Sequence, residues 1–226
     1  MSSDIPFLNE RLAEAARYAL MRRLLPAIRH NIAGTLQPIG MMSAMLERRM
    51  KALTPDLAQL GQNTQALTAL CREASATSSS LMTWLALKDN DLVAVSSAVE
   101  ESLGLMSTEL SFRGFSIANE TENLPMQLPR GMLRSVFTAS LMALTDGVEG
   151  AVKVVVTAEM RGNEAQLTIA LEPGGNPDLL GLGGRVQTYR SLGWDDVQAL
   201  ADEEGVSFSH DARCVQLRYC PLAGPG

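Results

Sequence analysis

The chain holds two histidines, His30 and His210. His30 lies in the stretch Leu24 to Pro38, LLPAIRHNIAGTLQP, inside a long run of helix-forming residues. A neutral imidazole in water is both a proton carrier and a nucleophile. Pro26 precedes it by four residues and Pro38 follows it by eight. Each proline removes a backbone donor and tends to kink a helix. Gly34, one turn beyond His30, keeps side-chain bulk off that face. A helix loosened on both sides of an imidazole suits a group that another molecule must reach. On periodicity alone, an ordinary surface histidine is the alternative. His210 falls in a hairpin turn near the end of the chain and reads as a surface residue.

Two helices must position His30. From Asn9 to Lys51 the chain is rich in Ala, Leu, Met, Arg and Glu, with apolar residues at Leu25, Ile28, Ile32, Ile39, Met42 and Leu46. Steps of three, four and seven make a heptad seam. Thr54 then reads as an N-cap and Pro55 as a first helical residue. A second seam runs through Leu57, Leu60, Leu67, Leu70, Ala74, Leu81 and Trp84. The expectation is an antiparallel helical hairpin over residues 1–90. Its seams want more apolar surface than one hairpin offers. Two chains forming a four-helix bundle would supply it, and packing on the rest of the same chain is the alternative. At roughly 100° per residue, the seam averages a direction close to that of Ile28 and Ile32, and His30 points about 170° away from it. That places it in solvent.

Composition narrows the partners. The 226 residues carry a net charge of −6, which disfavours nonspecific nucleic-acid binding. Hydrophobic residues make up 46% and aromatics 4%, so the cores are built from Leu, Val, Ala and Met. No apolar run approaches the ~20 residues of a membrane span, and MSSDIPFLNE has no signal-peptide pattern. Cys71, Cys214 and Cys220 lack metal-ligand spacing and read as small buried hydrophobes in a reduced, cytoplasmic setting.

Beyond Asp91 the pattern changes to an α/β domain over residues 91–226. Helices are expected at 96–111, from Leu128 to Gly147, and from Asp195 to Glu204. Strands are expected at 115–119, 151–160, 164–171, 206–209 and 214–219. Arg161-Gly162-Asn163 and His210 to Arg213 read as hairpin turns. Together they predict an α+β chain: a helical hairpin, then an α/β sandwich with a mostly antiparallel sheet and helices on one face. The Gly-rich loop Glu172 to Gly184, with Gly181, Gly183 and Gly184, is a phosphate-binding candidate or a flexible connection.

This order resembles the core of a bacterial sensor histidine kinase, a dimerisation and phosphotransfer hairpin followed by a GHKL-type ATPase domain. The resemblance covers residues 10 to 221. Ile28-Arg29-His30-Asn31-Ile32-Ala33-Gly34-Thr35-Leu36 resembles the H-box, and Leu133 to Asp146 resembles the N-box helix. The departures are as telling. By that register Ala139 and Ala143 replace the two N-box asparagines, one of which holds Mg²⁺ in the family, and a methyl cannot ligate a hard cation. Where the family places an adenine-binding Asp, the strand ends Leu171-Glu172-Pro173, and Glu172 is one position out of register. The acidic residue that follows the family's histidine is Asn31.

An intact histidine beside an eroded nucleotide site is similar to the dimeric histidine phosphotransferases built like degenerate kinases, the ChpT-type class. That resemblance implies phosphoryl transfer between receiver-domain aspartates through His30, with no ATP and no cofactor, the receiver supplying Mg²⁺. Arg29 and Asn31 would then adjoin the reacting group. Arg22, Arg23 and Gly34 would meet the partner; for the arginines a solvated helix face is the alternative. A regulatory scaffold without phosphotransfer and an active kinase with an atypical ATP site are the rival functions.

Overall fold

The computed structural model describes residues 4–85, 91–148, 150–175 and 190–220. The chain is α+β, with helices leading and a mixed sheet following. Its compact units are Pro26–Ala86 and, separately, Met1–Leu25 with Leu87–Gly226. The units therefore do not divide at residue 90: the first 25 residues belong with the α/β body.

Helix α1 (Asp4–Met50), whose residues from Pro26 on lie in the helical unit, passes through a short turn into α2 (Leu57–Leu85). The N-cap of α2 is Asp56 rather than Thr54. Its Oδ1 accepts the Gln59 amide at 3.1 Å, satisfying one of the orphan donors of the first turn. Residues shielded on α2 are Leu60, Asn63, Ala66, Leu67, Leu70, Ala74, Thr77 and Leu81, while Leu57 is exposed. The side chain of Trp84 lies outside the described residues.

In the α/β unit, β2 (Phe115–Thr121), β4 (Val152–Arg161), β5 (Glu164–Pro173), β7 (Cys214–Tyr219) and β6 (Ser207–His210) form a sheet in the order β2-β4-β5-β7-β6. The β2–β4 pair is parallel and the others antiparallel. The parallel pair arises because helix α4 (Arg130–Asp146) crosses over between those strands, as parallel neighbours require. Two short strands that the sequence pattern did not reveal, β1 (Leu92–Ala94) and β3 (Gln127–Pro129), pair with each other and lead into α3 (Val95–Phe112) and α4. Leu128, expected to open a helix, is in β3, and Pro129 caps α4.

One sheet face is apolar: Val154, Val156, Leu167, Ile169, Leu171, Val215 and Leu217 are buried there. The other carries Lys153, Thr157, Glu159 and Arg218, the alternation of a sheet covered on one side. Helices α3, α4 and α5 (Trp194–Glu204) pack in a row, α3 on β2, α4 on β7 and α5 on β6. Glu101 on α3 receives both Arg130 and Arg134 of α4. His210 is exposed, as expected, and stacks on Trp194 with ring centroids 3.9 Å apart. The cysteines are not buried hydrophobes. Cys71 is on the outer side of α2, and Cys220 is exposed, its thiol donating to Glu164.

The opening of α1 is held on this body by a thin face. Ala13, Ala16, Ala19, Leu20 and Leu24 are buried. The leucines contribute about 1.5–3 kcal/mol each and the alanine methyls much less. Ion pairs add orientation: Arg17 reaches Glu203 at 2.7 Å and Glu204 at 3.0 Å on α5.

Backbone constraint concentrates after β5. Gly175 has φ +117, and a Cβ there would lie 2.4 Å from the Val152 nitrogen and 2.6 Å from the Gly114 oxygen. Gly175→Ala is therefore expected to cost more than ~2 kcal/mol, read as a fall in the urea midpoint.

At the start of α5, Asp196 accepts Arg190 at 2.7 Å and the Gly193 amide at 2.9 Å. Partial burial opposes its charge, but these donors outweigh it and hold the carboxyl below its ordinary range. The resulting stabilisation is complete above the unfolded pKa of about 4 and fades as pH falls through the lower folded value. Asp196→Asn should therefore lower the melting temperature at pH 7, with the gap to wild type closing in acid.

Candidate functional site

His30 is exposed on α1, as its angular position required. The prolines lie inside the helix. Lacking amide donors, they leave the carbonyls of Arg22 and Gly34 without their i+4 partners. Thr35 Oγ1 competes for two more carbonyls, donating to Ile32 at 3.0 Å and to Asn31 at 3.3 Å. Such back-bonding bends helices slightly. The backbone around His30 is therefore less tightly laddered than ordinary helix.

The expected seam of α1 separates into two faces. Ile28, Asn31, Thr35, Pro38, Met42, Met45 and Arg49, at steps of three and four, are buried or half-buried. α2 carries a shielded face of its own in the same unit. Leu25, Ile32 and Leu36 lie elsewhere and are 44%, 38% and 53% exposed. His30 stands roughly 160° from Ile32 and 120° from Leu36 around the helix. A partner covering those two apolar side chains would leave the imidazole open. Asn31, one residue on, is half-buried on the seam side rather than beside His30.

The arginines fare differently from one another. Arg29 is exposed and Arg22 half-exposed, consistent with either a partner contact or a solvated face. Arg23 is 8% exposed and turned inward, which overturns its expected role in meeting a partner. Its Nη2 donates to Asp146 at 2.9 and 3.1 Å and to Glu109 at 3.4 Å. Arg113 Nη1 lies 3.1 Å from Asp146, and its Nη2 donates to the Thr145 carbonyl at 2.7 Å. Its guanidinium stands over the Phe115 ring, 5.1 Å from the centroid. Two cations thus meet two carboxylates where α3 and α4 end, and the negative ends of both helix dipoles favour them. Removing one partner from so desolvated a set costs about 3–5 kcal/mol. Sequence reasoning missed this cluster. Its members are 86 and 123 residues apart. The available signal was Arg23 standing at a core step between Leu20, Leu24 and Ala27.

At the positions that resemble a nucleotide site, Ala139 and Ala143 are buried methyls in α4. They offer no oxygen to a hard cation, so the family's nucleotide-bound Mg²⁺ does not fit the side chains at those positions. Glu172 sits with Lys153, 3.7 Å away, on the polar sheet face. Pro173 ends β5, and Gly175 is locked against the β2–β4 backbone. Gly181, Gly183 and Gly184 lie outside the described residues.

No family model and no curated protein matches the chain. Among solved structures, the Acinetobacter baumannii histidine kinase AdeS is 15% identical over 80% of this chain and 95% of that one, with a TM-score of 0.44. A histidine kinase from Burkholderia phymatum STM815 is 18% identical over 87% and 98%, TM-score 0.42. A structure described as a bacterial phosphotransferase is 13% identical over 88% and 94%, TM-score 0.37. Likenesses at this level assign no activity to the chain.

Gly34 provides a test of what the His30 face is for. A Cβ there would meet no atom within 4 Å, so internal packing does not demand glycine. Gly34→Ala should stabilise the free protein by ~1 kcal/mol through helix propensity, measured by urea unfolding. A neutral or destabilising result would show a structural use for the glycine.

Proposed function

We propose that the chain is a histidine phosphotransfer protein of a two-component phosphorelay, of the degenerate-kinase, ChpT-type class, carrying phosphoryl groups between receiver-domain aspartates on His30. The observation that carries this reading is the pairing of an exposed imidazole on a loosened helix with methyls where a nucleotide's metal would need oxygen. Transfer asks little of such a protein beyond a nucleophile held in line. A ring nitrogen of neutral His30 attacks the phosphorus of an aspartyl phosphate. The N–P bond forms as the acyl P–O bond breaks, and the electron pair leaves on the receiver's carboxylate. The second ring nitrogen keeps its proton. The receiver brings the Mg²⁺ that neutralises the transferred group, and ATP takes no part. Arg29 and Arg22 steer the acidic receiver site, and Gly34 leaves room for it.

The working form is a homodimer. Leu25, Ile32 and Leu36 supply the apolar face that a second hairpin covers, completing a four-helix bundle with two outward histidines. Among the described residues no helix is long and apolar enough to cross a membrane, and the protein works in the cytoplasm beside its receivers.

Two experiments test this. Ile32→Lys with Leu36→Lys should convert a dimer into a monomer by light scattering, while His30→Ala leaves the dimer intact. Incubation with radiolabelled ATP and Mg²⁺ should leave the chain unlabelled, whereas a phosphorylated receiver should label wild type and not His30→Ala. Label from ATP on His30 would make the chain a kinase. Unimpaired biological output from His30→Ala would make it a scaffold.

A further inference from the structure

The start of α1 and helix α5 belong to one compact unit, and a groove of about 610 Å³ runs between them. Leu12 of α1 and Ala199 of α5 give it an apolar lining, to which Glu10, Asp195, Asp202 and Glu203 add four carboxylates. We propose that this groove docks a basic amphipathic helix of another protein. The inference stands apart from the reading of His30. Leu8, one turn before Leu12 on the same face of α1, lengthens the apolar strip, and the two leucines are 56% and 51% exposed. Adjoining open leucines beside a concave surface offer a contact that scattered surface leucines do not.

Charge selects the occupant. Helix α5, WDDVQALADEE, carries five carboxylates in eleven residues and no basic side chain. Of the groups lining the groove, Glu203 is answered by Arg17 at 2.7 Å, and Asp202 accepts the neutral Gln198 amide at 2.6 Å. Among the described residues Glu10 and Asp195 have no ion-pair partner. Negative potential focused in a concave site draws a cationic partner. It repels nucleic acid and anionic lipid, and the same face of a second copy would set carboxylate against carboxylate. The walls are helices, whose backbone groups are largely used internally, so the groove offers side chains and no strand edge. A helix is the element whose side-chain ridges fit such a groove. Asp195, Gln198, Ala199 and Asp202 form one stripe on α5, about 10 Å long at 1.5 Å per residue. The matching partner presents two turns. Leucine-like residues four apart face Leu8, Leu12 and Ala199, and Lys or Arg seven apart face Asp195 and Asp202.

The test adds the full-length protein to a fluorescein-labelled helical peptide of about 15 residues, with two leucines four apart and two lysines seven apart on one side. Anisotropy should report a Kd of about 10–300 μM that weakens as salt rises. The same peptide with glutamates for lysines should not bind. Amide shifts in the complex should centre on residues 8–12 and 195–203. Leu12→Arg should abolish binding without lowering the melting temperature. Asp195→Asn with Asp202→Asn should weaken it about tenfold, which keeps the test open if Leu12→Arg folds poorly. Glu120→Gln with Glu172→Gln removes as much charge from the polar sheet face and should bind like wild type, as should His30→Ala. No binding of the lysine peptide at about 1 mM protein, an equal loss in the sheet-face variant, or shifts centred elsewhere overturns the inference. A lower mass for free Leu12→Arg than for wild type by light scattering would assign the groove to a second copy, and overturns it too.

Discussion

The desolvated meeting of Arg23 and Arg113 with Glu109 and Asp146 is the constraint on which the rest of this architecture depends. A guanidinium buried in a helix of Ala and Leu is costly unless paired with carboxylates. Here the partners come from the ends of α3 and α4. The cluster therefore forms only when the opening of α1 lies on the α/β body in one register. Alanine methyls alone specify register weakly; the charges, with the buried Leu20 and Leu24, fix it. That gives a helix of 47 residues a fixed beginning.

Beyond that beginning the same helix is loosened. Pro26 and Pro38 each delete a ladder bond, Gly34 has no packing role, and Thr35 diverts carbonyls that would serve the ladder alone. Gly175 and Gly205, the left-handed cap of α5, are by contrast held by positive φ.

Much of this was legible in the sequence because it depends on period. The strands from Val152 and from Glu164 and the closing strand at Cys214–Tyr219 alternate so regularly that their ends were read to within two residues. The outward position of His30 followed from rotation per residue. What escaped the sequence depends on distance. The parallel β2–β4 pair is a consequence of topology, and the three-residue strands β1 and β3 are too short for periodicity to register. The single seam assigned to α1 proved to be two faces because Leu25 and Ile32 fit the same heptad spacing as Ile28 and Met42. Arg23 was placed with Arg22 and Arg29 as a surface cation; only the fold brings Asp146 to it across 123 residues.

The chemistry proposed for His30 is the uptake of a phosphoryl group from an aspartate. Phosphorus NMR on a phosphorylated receiver mixed with this chain follows that event directly. The acyl-phosphate resonance should fall while a phosphohistidine resonance grows, and neither change should occur with His30→Ala. Loss of the acyl phosphate straight to inorganic phosphate, with no phosphohistidine at any time, would contradict it.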